Sequence, residues 1–285
     1  SSLRPIMLQR LESLGVSYRT GHGLVDVMGR DEEKVRKAME RAISWGVPSD
    51  FIESLNGVTG VVAEIVTGRP GPTTACRFDM DCVCVQETRA EDHILNKEGF
   101  SSLNPVLMHA CGHDVHTSVG LSVVKWVAEN KNKLKGKIRF IFQPAEEPGK
   151  GSRAMIDDGL LEKYPMDEIY GIHNAPFLPE GELHTKTGGI MASEDNFRIK
   201  IKGKGFHASS PHMGIYPLVT ASQIILALQT VVSRNASPLD AAVISCTELF
   251  TDGAHNAVPS NVEILGDTRR CTPQIQKLIE ERMRA

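Results

Sequence analysis

The sequence predicts an α/β domain with a mainly parallel sheet, followed by a smaller α+β domain of ferredoxin-like type. Up to about residue 187, short apolar runs alternate with stretches of helical periodicity, which is typical of β-α-β units. From residue 188 onward the order becomes strand, helix, strand, strand, helix, and Gly188-Gly189 marks the change. We therefore expect two domains, covering residues 1–187 and 188–285.

Local signals predict each element of the first domain. Asp31 is a helix-capping residue before apolar positions at helical spacing, and Gly46 with Pro48 ends that helix, which should pack through one face. A second helix is predicted at 119–128, beginning near Asp114. Strands are predicted where short apolar runs are bounded by turn residues, at 61–66, 73–78, 138–142 and 168–172.

The second domain is predicted from the same signals in a different order. Its strands are expected at 197–202, 241–249 and 262–268, and its helices at 217–234 and 273–284. The first of these helices carries apolar residues at steps of three and four, so one stripe should cover the sheet. A complete ferredoxin-like arrangement would need one further strand.

Composition excludes several classes of function. Lysine and arginine number 32 against 35 aspartates and glutamates, giving a net charge of −3 without a basic block, so neither a nucleic-acid nor a membrane partner is expected. Apolar residues make up 41% of the chain, but no run is long enough to span a bilayer. Six cysteines at irregular spacing favour reduced thiols in a cytoplasmic protein.

The stretch 108–117, Met-His-Ala-Cys-Gly-His-Asp-Val-His-Thr, has the composition of a metal site. It places Cys111 and His113 on either side of a glycine, and thiolate and imidazole are ligands that Zn²⁺ favours. Two carboxylates, Glu146 and Glu147, and one imidazole, His173, follow predicted strands elsewhere in the chain. In parallel sheets, sites gather beyond the carboxyl ends of the strands, so these side chains are expected to meet there.

Five motifs in order along the chain resemble the M20 metallopeptidase family. They are Arg-Phe-Asp-Met-Asp (77–81), the run at 108–117, Gln-Pro-Ala-Glu-Glu (143–147), His-Asn (173–174) and Gly-Phe-His-Ala (205–208). The resemblance is strongest to the amidohydrolase branch, which includes hippurate, indole-acetyl-amino-acid and aminobenzoyl-glutamate hydrolases. It implies a metallohydrolase catalytic domain joined to a lid and dimerisation domain.

The resemblance also implies roles for individual residues. Cys111, His113, Glu147 and His173 would be ligands of two divalent metal ions, and Glu146 the general base or acid. Zn²⁺ or Mn²⁺ is expected, while Co²⁺ and Ni²⁺ suit the same donors. On an extended segment, the side chains of Glu146 and Glu147 would point apart, one to the substrate and one to the metals.

Four further residues match family positions outside the ligand set. Asp79 resembles a carboxylate that holds a histidine in place, although a buried salt bridge is an alternative. His207 resembles a histidine that stabilises the oxyanion across a dimer, and Asn256 and Arg269 resemble groups that bind the substrate carboxylate. For these three the alternatives are a turn histidine and surface residues of the lid. The resemblance thus implies a homodimer formed through the lid domain.

Substrate and completeness are predicted only coarsely. We expect an amide between an acyl or aroyl group and an amino acid, and a helical insertion at 25–56 resembles the aminobenzoyl-glutamate branch. The alternatives are a dipeptidase or aminopeptidase of the same fold, a non-catalytic metal-binding descendant, and a zinc-storage or redox protein. Family members continue beyond residue 285 and supply a further histidine ligand, the last lid strand and the final elements of the first domain.

Overall fold

The computed structural model describes residues 3–20, 31–55 and 57–285. The chain divides into two units, Ser1–Pro179 and Glu180–Ala285, whereas the sequence places the boundary near residue 188. Of the insertion predicted at 25–56, residues 25–30 and 56 lie outside the described residues.

The first unit has the α/β order that the sequence predicts. Its strands are β1 (Ser17–Thr20), β2 (Val61–Val66), β3 (Thr73–Asp79), β4 (Lys137–Gln143) and β5 (Glu168–Gly171). Its helices are α1 (Leu3–Ser13), α2 (Glu32–Ser44), α3 (Ser49–Leu55), α4 (Ile94–Lys97), α5 (His113–Asn130), α6 (Gly151–Asp157) and α7 (Leu160–Lys163), with a 3-10 turn at Lys131–Lys133.

The five strands form one sheet in the order β1-β2-β4-β3-β5. β3 runs parallel to both β4 and β5, and β2 is antiparallel to both of its neighbours. Four of the five strands therefore point the same way, and the prediction of a mainly parallel sheet is confirmed. The carboxyl ends of β3, β4 and β5 meet at one edge, which is where Asp79, Gln143 and Gly171 end their strands.

Helix α5 packs on the sheet through a glycine. A Cβ placed on Gly120 would lie 2.8 Å from the ring of Phe78 and 2.9 Å from the ring of Phe142, so only hydrogen fits at this contact. Val124, one turn further along α5, is fully buried in the same core as Phe140. This close packing fixes the amino-terminal end of α5 at the carboxyl edge of the sheet.

We expect Gly120→Ala to destabilise the first unit by about 1–3 kcal/mol, because overpacking forces the two phenylalanine rings to move. Ser122→Ala, at an exposed position of the same helix, is the control and should change the free energy of unfolding by less than about 0.5 kcal/mol. Urea unfolding followed by circular dichroism measures both. An equal effect of the two substitutions would show that the ring contact is not limiting.

The capping prediction for α2 is confirmed, but the packing prediction is wrong. Asp31 caps the helix by accepting a hydrogen bond from the backbone N–H of Lys34 at 3.0 Å. No residue of α2 is buried; Val35 and Met39 are half-buried, and Ile43 is exposed. Helical spacing of apolar residues defines a face, but it does not supply a surface to cover that face.

The second unit is a three-stranded antiparallel sheet with two helices. Its longer elements are β6 (Ser193–Lys202), α8 (Pro217–Asn235), β8 (Ala242–Thr251), β10 (Asn261–Arg270) and α9 (Pro273–Arg284). A two-stranded ribbon joins β7 (Phe206–His207) to β9 (Ala257–Val258), and a 3-10 turn lies at Pro211–Met213.

The sheet of the second unit has the order β6-β10-β8, so the last strand in sequence lies in the middle. Leu228 of α8 and Ile275 of α9 belong to one buried cluster with Ile244 of β8. The predicted strand-helix-strand-strand-helix order is present. In the part of the chain that the structure describes, no helix is long and apolar enough to cross a membrane.

Candidate metal centre

Asp79, the last residue of β3, is the buried anchor of the carboxyl edge. Its side chain is 0% exposed, and Arg77 Nη1 donates to its Oδ2 at 2.7 Å. The Nδ1 atom of His116 lies 2.5 Å from its Oδ1, and the Thr117 hydroxyl donates to its backbone oxygen at 3.0 Å. A buried carboxylate needs such partners, because burial without them is costly. Asp79 therefore connects β3 to the start of α5.

His116 extends this connection to the segment that follows β5. Its Nε2 atom lies 2.7 Å from Asn174 Oδ1 and 3.0 Å from the Asn174 backbone nitrogen. Both nitrogens of His116 thus have protein partners, which favours a positioning role over metal ligation. His173 Nδ1 lies 2.7 Å from the backbone oxygen of Asn174, and as the donor there it leaves Nε2 free. That Nε2 lies 3.5 Å from the Cys111 sulfur.

Gly112 makes the turn that places Cys111 and His113 on the two sides of this network. Its φ of +87° lies in the left-handed region, and it precedes the first residue of α5. A Cβ at this position would lie 2.5 Å from Asn174 Oδ1. Any side chain here would therefore push Asn174 away and disturb the His173 contact.

His113 is fully buried, and neither of its ring nitrogens has a hydrogen-bond partner among the described residues. Its Nε2 lies 3.5 Å from Glu147 Oε1 and 3.9 Å from Glu146 Oε2, and its Nδ1 lies 3.4 Å from Asp81 Oδ1. Buried polar atoms are normally satisfied, so an imidazole without partners beside carboxylates fits a metal ligand. The residues present therefore fit a metal ion at this edge.

The two glutamates lie in a tight turn, and the extended segment predicted for them is wrong. The N–H of Gly149 donates to the backbone oxygen of Glu146 at 2.7 Å, and Ala145 has a φ of 51°, which is unusual for a residue other than glycine. Because the turn curls back, both carboxylates approach His113 instead of pointing apart. Strain of this kind is found where a loop must hold a site in place.

Ligand-type atoms form three overlapping groups, each with its atoms within 4.8 Å of one another. They are Cys111, His113 and His173; His113, Glu146 and Glu147; and Asp79, His113 and His116. His113 belongs to all three groups. Thiolate, imidazole and carboxylate together suit borderline divalent ions. The structure thus brings together the four sequence-predicted ligands, the predicted base Glu146 and Asp79.

The environment of Cys111 keeps its sulfur protonated without a metal. Burial, a hydrogen bond with Glu147 and the nearby negative charges together raise the pKa of the thiol to about 12. A thiol is a ligand only as thiolate, so a metal must displace this proton. The carboxylates that would share the metal with Cys111 are therefore among the groups that hold the proton in place.

We expect Zn²⁺ binding to release about one proton from Cys111 at pH 8, and Zn²⁺ affinity to fall as the pH is lowered, because protons compete for the sulfur. Calorimetric titration in buffers of different ionisation enthalpy measures the proton count. Cys111→Ala should remove this release. An equal release from the variant would assign the proton to another group.

The second-unit residues singled out by sequence lie in separate settings. His207 is exposed on β7, where its Nδ1 lies 2.8 Å from the Ser209 hydroxyl. The Asn256 backbone oxygen accepts from the N–H of Ala208 at 3.0 Å, so the ribbon brings His207 and Asn256 close together. Arg269, on β10, already pairs with two carboxylates at 2.6–2.7 Å, those of Glu194 and Asp267.

Sequence reasoning missed two residues of the centre. Asp81 accepts hydrogen bonds from the backbone of both Glu146 and Glu147, and Asn174 contacts both His116 and Gly112. The repeated aspartate of the Asp-Met-Asp motif was a signal for Asp81. The Asn174 contacts had no signal, because they depend on how β5 is placed beside α5.

Comparison with known proteins gives a consistent family. The profile of Peptidase family M20/M25/M40 matches residues 75–283. N-acetylcysteine deacetylase of Bacillus subtilis is 41% identical over 226 residues, covering 79% of this chain and 57% of that protein. A p-aminobenzoyl-glutamate hydrolase homolog of Haemophilus influenzae is 34% identical over 268 residues, covering 90% and 60%.

Solved structures agree. A dinuclear metal binding peptidase of the M20 family from Bacillus subtilis matches with a TM-score of 0.66 and 29% identity, covering 99% of this chain and 62% of that one. The aminobenzoyl-glutamate utilization protein of Klebsiella pneumoniae matches with a TM-score of 0.66 and 26% identity, covering 99% and 65%. The chain spans 52–60% of the length of the first three curated relatives it matches. On the profile and these relatives, the chain belongs to peptidase family M20/M25/M40.

Proposed function

We propose that this protein is a binuclear metal-dependent amidohydrolase that cleaves the amide between an acyl or aroyl group and an amino acid. The observation that carries the proposal is His113. It is fully buried with two unpartnered nitrogens, between the Cys111 and His173 pair on one side and the Glu146 and Glu147 pair on the other. An arrangement with this many donors around one orphaned imidazole has no evident purpose without metal.

Cys111, His113, Glu147 and His173 would hold the ions, of which Zn²⁺ and Mn²⁺ are the first candidates. When bound, divalent ions supply a nucleophile at neutral pH and polarise the scissile carbonyl. Glu146 has a side chain that is 33% exposed, so its carboxylate can reach both solvent and the centre. It takes a proton from the attacking water and returns it to the leaving amine. Asp79 holds His116, which in turn holds Asn174 and His173.

Relatives guide the choice of substrate class. They include proteins named N-acetylcysteine deacetylase, hippurate hydrolase and p-aminobenzoyl-glutamate hydrolase homolog, at 34–41% identity. The amides in these names share an acyl or aroyl group on the amino nitrogen. We therefore rank N-acyl amino acids and aminobenzoyl-glutamate as the leading substrates.

The test is a substrate panel on protein loaded with Zn²⁺ or Mn²⁺ and checked for metal content. It compares N-acetylcysteine, hippurate and aminobenzoyl-glutamate with a dipeptide that has a free amino terminus. Cleavage of the acylated compounds alone would support the proposal. Preference for the dipeptide would indicate a peptidase of the same fold, and two bound ions without any cleavage would indicate a non-catalytic metal-binding protein.

The second unit is proposed to serve substrate binding and dimerisation. We assign His207 to the oxyanion and Asn256 with Arg269 to the substrate carboxylate, for which a guanidinium fork is suited. Arg269 would have to exchange an existing ion pair for the substrate. Arg269→Met should therefore raise KM for free-acid substrates more than for the same substrates with an amidated carboxylate.

A homodimer through the second unit is supported by apolar exposure on α8 and β8. Leu226 is 70% exposed, and Val219 and Phe250 are about half exposed. Exposed apolar residues of this size, when they are contiguous, mark association surfaces. Light scattering after gel filtration should give the mass of a dimer, and Leu226→Asp should reduce it. A monomer at high protein concentration would contradict the assignment.

We also propose a cytoplasmic location with the acylated amino acid as the small-molecule partner. All six cysteines are free thiols, which fits a reducing compartment. Cell fractionation with a thiol-reactive label tests the location. Labelled protein in the periplasmic or secreted fraction would contradict it.

A further inference from the structure

Asp81 has an unusual set of neighbours for a carboxylate outside the ligand groups. Its Oδ1 accepts from the backbone N–H of Glu146 and its Oδ2 from the backbone N–H of Glu147, both at 3.0 Å. Its Oδ1 also lies 3.4 Å from the Nδ1 of buried His113. One side chain thus touches the glutamate turn and the imidazole that all three ligand groups share.

The geometry around Asp81 argues against ligation by its own oxygens. Both oxygens already accept backbone N–H groups, so neither is free to face an ion in the arrangement seen. The two bonds join consecutive backbone nitrogens to one planar group, which fixes the orientation of the peptide between them as well as its distance. A hydroxyl or a carboxamide cannot reproduce this, because a carboxamide presents only one acceptor atom and places an NH₂ against the other N–H.

The turn that Asp81 holds has little else to fix it. Ala145 adopts a φ of 51°, which strains a residue with a side chain, and the turn closes on itself through Gly149 and Gly151. A Cβ on Gly151 would lie 1.6 Å from the backbone oxygen of Pro144, so the turn also depends on a missing side chain. Strained conformations persist only where surrounding contacts over-determine them. The charge-assisted bonds from Asp81 are such contacts.

We propose that Asp81 is a positioning residue that sets the separation between the two carboxylates and His113, so that one carboxylate can bind metal while the other moves the proton. The proposal rests on the assignment of Glu146 and Glu147 made above. It accounts for the two glutamates sharing one short turn and yet serving different roles. Asp81 acts through the backbone of these residues and through the Nδ1 side of His113, and it does not touch substrate.

The test compares Asp81→Asn with wild type and with the control Asp167→Asn. Asp167 also accepts a backbone N–H, that of Thr73 at 2.7 Å, but at the opposite end of β3. Asp81→Asn should lower Zn²⁺ affinity by about 10–100-fold, as loss of an outer partner of a metal ligand does, and should lower kcat more than it raises KM. Affinity is measured by competition with a chromophoric chelator, and folding by circular dichroism and thermal unfolding.

Asp81→Glu separates geometry from charge and provides a second folded variant. It keeps the negative charge but moves the carboxylate by one methylene, so we expect it to lose Zn²⁺ affinity as well. Unchanged Zn²⁺ affinity in Asp81→Asn, or wild-type affinity in Asp81→Glu, would overturn the proposal. If wild type binds two Zn²⁺ ions but cleaves no substrate of the panel, the proposed function fails while the affinity comparison still decides the role of Asp81.

Discussion

Glu146→Gln is expected to lower kcat on an N-acyl amino acid by about 10²–10⁴-fold while leaving the metal content unchanged. The carboxamide keeps the size of the side chain but cannot accept and return a proton. Glu146 Oε2 lies further from His113 Nε2 than Glu147 Oε1 does, at 3.9 against 3.5 Å. We therefore assign proton transfer to Glu146 and ligation to Glu147.

The matched comparison is Glu147→Gln in the same turn, which should lose metal and activity together. Glu162→Gln on the exposed face of α7 is the outer control and should change neither. Metal content is measured by elemental analysis after gel filtration, and kcat by release of the free amine. Loss of metal from Glu146→Gln with retention in Glu147→Gln would reverse the two assignments.

His113→Leu is expected to abolish metal binding and activity and yet to leave the metal-free protein as stable as wild type or more so. Without metal, both nitrogens of this imidazole are buried and unpaired, and each such group costs about 1–3 kcal/mol. Leucine has a similar volume and no polar atoms, so its burial removes that cost. The loss of Zn²⁺ affinity should exceed the roughly 10–100-fold typical of an outer-shell partner.

Thermal unfolding with and without Zn²⁺ measures both effects. Wild type should gain in Tm on addition of Zn²⁺, because binding to the folded state alone stabilises it, and the variant should not. His116→Leu is the comparison, since this neighbouring buried imidazole has partners on both nitrogens and its loss should destabilise the metal-free protein. If His113→Leu were as destabilising as His116→Leu, His113 would have a structural role.

Local patterns determined much of this protein. The cap at Asp31, the strands that became β2, β3 and β4, and the helix α8 were each predicted from short-range signals, and the structure confirms them. The motif residues Cys111 and His113 could be named as candidate ligands, because thiolate and imidazole on either side of a glycine are unusual without a metal. Periodicity and motif chemistry are properties of neighbouring residues, so sequence is sufficient to read them.

The tertiary structure decided the features that join distant segments. The antiparallel direction of β2 and the turn at Glu146 depend on pairing and curvature that no local pattern encodes. The Asp79 to His116 contact spans 37 positions, Cys111 to His173 spans 62, and Asp81 to Glu146 spans 65. Sequence by itself determined which residues could carry the chemistry. Only the packing of α5 on the parallel strands decided that His113 is buried without a partner, because burial is a property of the assembled edge and not of the motif.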